Sequence, residues 1–63
     1  MNGKVRKDIN VGTKVLIVQK QDQRSGKLTE GVVQKILTNS AVHPRGIKVM
    51  IESGVVGRVQ QIK

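Results

Sequence analysis

The chain draws its apolar surface almost entirely from valine and isoleucine, and this restricts what it can fold into. Eleven Val and six Ile stand against three Leu and one Ala. Side chains branched at Cβ are stiff at χ1, pack well on a pleated surface and lose freedom in a helix. A helical bundle of this size would be written in Leu, Ala and Glu instead. Seven glycines are available for the turns that short strands need. At 63 residues and without cysteine, the chain has room for one domain and no means of stapling it by a disulfide. A chain this short buries only about 60% of its unfolded surface, so its core is thin and must be aliphatic.

Hydropathy patterning places the strands. Residues 1–10 are polar and basic, with Val5 and Ile9 at helical spacing, and read as either a single turn or a frayed arm. Val11-Gly12-Thr13 turns into a first strand over residues 14–20, where four consecutive aliphatics, Val15 to Val18, imply burial on both faces. Residues 21–27 form a polar loop with a turn at Ser25-Gly26. Residues 28–37 have apolar pairs three to four apart, a spacing a helix also gives. Thr29, Gly31 and Val32-Val33 favour a bulged, bent strand, with Gly31 at the bulge.

Residues 38–46 are rich in turn formers. Residues 47–52 alternate, with Ile47, Val49 and Ile51 on one face and Lys48, Met50 and Glu52 on the other. A two-residue turn at Ser53-Gly54 returns the chain antiparallel over residues 55–59. Gln60 to Lys63 read as a short 3₁₀ turn and closing strand, with Ile62 buried. Such strands cannot bury their faces as a flat sheet. The expected fold is all-β, a small SH3-like (KOW-like) barrel of four to five antiparallel strands over residues 11–63, preceded by a basic arm or turn at 1–10.

Two resemblances accompany this reading. Val11-Gly12-Thr13-Lys14-Val15, Gly31-Val32-Val33-Gln34-Lys35-Ile36 and the alternating strand after them resemble the KOW-type barrel. That resemblance implies contact with RNA, as in ribosomal proteins and transcription factors. A longer ordered string resembles the YwbE-like family of small uncharacterised proteins. It runs through Asp22-Gln23-Arg24-Ser25-Gly26-Lys27-Leu28-Thr29, Ile36-Leu37-Thr38-Asn39-Ser40, His43-Pro44-Arg45-Gly46-Ile47-Lys48-Val49 and Val56-Gly57-Arg58-Val59. This resemblance implies fold and carries no activity. Met50 stands where that family is expected to have a basic residue.

Charge directs the functional reading. Twelve Lys and Arg face four acids, a formal charge of +8 that repels itself in a compact state. Phosphate is the usual counterweight. The expected anion-binding residues are Arg24, Lys27, Arg45, Lys48 and Arg58. Lys48 and Arg58 point outward because Val49 and Val59 point in, and Arg24 and Arg45 lie on loops. Arginine offers forked donors that match phosphate, although a merely solvated basic face has the same composition. Residues 22–27 suit either an anion cradle or an Asx-type turn in which Asp22 accepts backbone hydrogen bonds and Arg24 pairs with an acid. Asn39 and His43 are secondary candidates for ribose or base edges, with Pro44 positioning His43 and Arg45; the plainer alternative is that Asn39 and Ser40 satisfy backbone groups of their loop.

Other classes fit poorly. His43 has no nucleophile and orienting carboxylate to serve, and with only Asp8, Asp22, Glu30 and Glu52 beside it no metal site is expected. No apolar run approaches the ~20 residues that span a bilayer, and residues 1–10 lack the apolar core of a signal peptide. No enzyme and no cofactor are expected. The chain has no Phe, Tyr or Trp, so base stacking on aromatic platforms is excluded. The expected function is a cytoplasmic, monomeric nucleic-acid-binding module that reads structured RNA, or a ribonucleoprotein, through backbone contacts. The alternative is a protein-interaction module for an acidic protein or assembly.

Overall fold

A computed structural model describes residues 3–63. Four strands, β1 (Lys14–Val18), β2 (Thr29–Ile36), β3 (Lys48–Ile51) and β4 (Val56–Ile62), pair antiparallel in chain order, and β4 returns to β1 to close a barrel. The fold is therefore the small SH3-like barrel expected from the valine-rich pattern, with four strands rather than five. Closure leaves no long unpaired edge on the sheet.

Strand alternation builds the core. Val15 and Ile17 of β1, Val33 of β2, Val49 and Ile51 of β3 and Val59 of β4 are buried, together with Ile47 just before β3. Each such side chain contributes about 1.5–3 kcal/mol relative to exposure. Ile36, Val55 and Ile62 pack against this cluster from its margin, so Ile62 is half-buried rather than enclosed. The run Val15 to Val18 divides by alternation: Leu16 and Val18 face outward and are only half-covered.

The segment before β1 supplies the eighth core residue. Arg6–Asp8 form one 3₁₀ turn, and Ile9 behind it is 2% exposed. Val5 bridges Val42, and the Arg6 N–H donates to the Ala41 carbonyl at 2.8 Å. Val5 and Ile9 thus share no helix; the spacing reflects one bridge and one core contact.

Several local expectations shift. β1 ends at Val18, because Gln19 leads directly into a 3₁₀ turn at Lys20–Asp22. β2 is bulged, but at Gln34 rather than Gly31: its pairing with β3 slips between Val33 and Lys35. Gly31 instead leaves space for Ile51, whose side chain an added Cβ would strike. Between β3 and β4, Ile51 N–H donates to the Val55 carbonyl at 2.9 Å, so the turn has three residues, Glu52-Ser53-Gly54, rather than two. Gly54 N–H closes on the Ile51 carbonyl at 2.8 Å with Gly54 at φ 90°. Gln60 and Gln61 continue β4 instead of entering a 3₁₀ turn. The β1–β4 register slips between Leu16 and Ile17, which makes Gln60 the unpaired bulge residue.

Candidate functional site

The inward placement of Val49 and Val59 sends Lys48 and Arg58 to the outer face, where they are direct cross-strand partners. Val18 on β1 is the partner of Arg58 on its other side, so Val18, Arg58 and Lys48 form one row across three strands. Like charges directly opposite each other on a sheet repel. Among the described residues no carboxylate forms an ion pair with Lys48 or Arg58; the ion pair present is Lys63 Nζ to Glu30 Oε2 at 2.9 Å. That pair draws the Glu30 carboxyl below its usual range, first through the hydrogen bond from Lys63, then through the charges of Lys63 and Lys14.

A tight turn brings a third cation to the row. Gly46 N–H donates to the His43 carbonyl at 3.0 Å, and Arg45 N–H to His43 Nδ1 at 3.1 Å. The backbone N–H of His43 donates to the Lys4 carbonyl at 2.9 Å, which fastens the turn to the N-terminal segment. From β4, Arg58 Nη1 donates to the Gly46 carbonyl at 3.1 Å and Gln60 Nε2 to the Arg45 carbonyl at 3.0 Å. Only glycine suits position 46: its φ is 102°, and an added Cβ would collide with the Val59 carbonyl. Arg45 is left exposed at the tip.

These elements enclose an open groove with two adjoining halves that share Val18, Gln23, Arg45 and Arg58. One half, about 440 Å³, adds Lys20, Gln21, Lys48 and Val56. The other, about 660 Å³, adds Gly26, Leu28 and Gln60. The first is cationic. The second pairs aliphatic walls with side-chain amides.

Of the expected binding residues, Arg45, Lys48 and Arg58 converge here. Arg24 and Lys27 are exposed on the neighbouring loop and do not line the groove, although Gln23 and Gly26 beside them do. That loop closes on the backbone carbonyl of Asp22, which accepts from Gly26 N–H at 2.8 Å and from Ser25 Oγ at 3.3 Å. The Asp22 carboxylate makes none of these bonds, and Arg24 has no ion pair among the described residues. Asn39 is exposed away from the lining. His43 serves by holding Arg45 rather than by facing the groove. Gln23 reaches the groove from the candidate loop 22–27, whereas Lys20, Gln21 and Gln60 join the site from outside the expected set. Lys20 arrives through the 3₁₀ turn that ends β1, and Gln60 through the bulge; neither feature has a sequence signature. Among the described residues no three of His, Asp and Glu gather where they could hold a metal ion. No helix among them is long and apolar enough to cross a membrane.

Fold and groove together define a small closed barrel with a cationic row on its outer face. The chain belongs to the family described as "Uncharacterized conserved protein (DUF2196)", whose model matches residues 2–62. It is 56% identical over 62 residues to the "Uncharacterized protein YwbE" of Bacillus subtilis (strain 168), covering 98% of this chain and 95% of that protein. The YwbE-like resemblance of the sequence is thereby shown. No solved structure matches the chain.

Proposed function

We propose that the chain is a nucleic-acid-binding module that grips structured RNA by its phosphates, without catalysis, in the cytoplasm. The observation that carries this reading is the pairing of Lys48 with Arg58 across β3 and β4, with Arg45 and Lys20 at the same groove and, among the described residues, no carboxylate in an ion pair with any of the four. Such a row costs electrostatic energy in the free protein, and a phosphate backbone relieves it. Arg45 and Arg58 offer forked donors, and the two lysines offer mobile point charges. The lack of aromatic residues favours recognition of backbone and shape over base stacking.

A second reading, docking of an acidic protein segment, draws support from Val18, Leu28 and Val56 within the groove, because aliphatic surface beside cations also suits a peptide. Fluorescence-anisotropy titration with a short hairpin RNA and with an acidic peptide separates the two. The RNA reading expects the hairpin to bind and Lys48→Glu to weaken it about tenfold or more, with the thermal melt not lowered, because the substitution replaces a like-charge pair with Arg58 by an opposite-charge one. Hairpin binding indifferent to Lys48→Glu, or binding of the peptide alone, overturns it.

A further inference from the structure

The groove holds more than a phosphate grip needs. A polyanion recognised only through its backbone requires the cationic half, with Lys20, Lys48, Arg45 and Arg58. The larger half beside it contributes no further cation. It brings Val18 and Leu28 as walls, with the amides of Gln23 and Gln60. Leu28 is 43% exposed, so this surface lies uncovered in the free chain. Arg45 and Arg58 border both halves.

Anionic groups beside a flat, weakly polar body with donors and acceptors on its rim describe a nucleotide. Amide side chains suit a base rim because they carry both a donor and an acceptor. In a duplex the base faces are stacked and out of reach, whereas loops and bulges splay them out. A volume of about 660 Å³ falls within the range of about 300–1,000 Å³ typical of small-ligand clefts.

We infer that the Val18–Leu28 half of the groove seats one unpaired nucleotide of an RNA chain, its base against these two side chains and its phosphates on Arg45 and Arg58. This rests on the RNA-binding reading above and deepens it: the partner is a helix interrupted by a bulge or flipped base. Aliphatic walls grip a base less strongly than aromatic rings do. Discrimination therefore comes from burying one base face and satisfying its rim, with most of the affinity left to the phosphates.

The test compares a hairpin RNA carrying a single-nucleotide bulge, the same hairpin without the bulge, and adenosine monophosphate, each titrated against the full chain. The bulged hairpin is expected to bind about tenfold tighter than the unbulged one. In Leu28→Ser, and independently in Gln23→Ala, that preference is expected to fall below about threefold. Both positions are exposed, and a thermal melt verifies that each variant folds. Equal affinity for the two hairpins, with salt dependence and sensitivity to Lys48→Glu retained, overturns the nucleotide seat and leaves the phosphate grip standing. An unchanged preference in both variants also overturns it. Adenosine monophosphate binding as tightly as the bulged hairpin overturns the assignment to an RNA chain. Failure of every RNA to bind at low salt overturns this inference together with the reading beneath it.

Discussion

Arg58 reaches from the middle of β4 to hold the carbonyl of Gly46 with its Nη1, 3.1 Å away, and so ties a sheet residue to the turn that presents Arg45. The guanidinium can do this and still direct donors outward, because its five N–H groups form a planar fork. A lysine has the charge without the fork. Arg58→Lys is therefore expected to weaken RNA binding about fivefold, the equivalent of one hydrogen bond of about 1 kcal/mol. Parallel titrations of the two proteins at one salt concentration measure it.

Position 46 carries a harder constraint. With φ at 102° and the Val59 carbonyl in the path of any Cβ, Gly46→Ala must strain the backbone and push the turn off β4. A cost of about 1–3 kcal/mol in stability is expected, read from chemical denaturation. Gly54→Ala is the informative comparison: its φ is also positive at 90°, but nothing lies within 4 Å of an added Cβ, so its cost should be the smaller of the two.

Ile9 lies outside the four strands yet is as buried as the strand residues. Ile9→Ala should cost about 2–5 kcal/mol, as for a large-to-small change in a core. A domain of this size has a total stability of only a few kcal/mol, so the variant's melting temperature should fall sharply. A loss confined to a few tenths of a kcal/mol would mean that the N-terminal segment is not part of the folding unit.

The Glu30–Lys63 pair sets an acid-side dependence. The Glu30 carboxyl is held below its ordinary value, so its contribution to stability is present above the unfolded-state value and lost as the pH falls through the folded one. The pair is exposed, and the effect is accordingly modest. Thermal melts across the acid range should decline less steeply for Glu30→Gln than for the parent chain.

Much of this architecture was legible in the sequence because alternation leaves a direct trace. Ile47, Val49 and Ile51 read as one buried face and are one, and the outward placement of Lys48 and Arg58 followed from their buried neighbours Val49 and Val59. What escaped depends on register and on contacts distant in sequence. The bulges at Gln34 and Gln60 are mismatches between paired strands, and neither strand alone encodes them. Ile9 resembled an arm residue because its partners lie elsewhere along the chain. Arg24 and Lys27 have the right chemistry for the groove, but the loop that carries them turns Gln23 and Gly26 toward it. Lys20 reads in the sequence as the end of a strand, but that strand stops at Val18.

The proposed phosphate grip rests on Lys20, Arg45, Lys48 and Arg58, the four cations of one groove half. The most direct test is the salt dependence of hairpin-RNA affinity for the parent chain and for Lys48→Glu. Each phosphate neutralised contributes about −0.9 to the slope of log K against log salt for a duplex, so four cations predict a slope of about −3 to −4. Lys48→Glu should make that slope shallower by at least about one. A slope near zero, or one that Lys48→Glu leaves unchanged, would contradict the account.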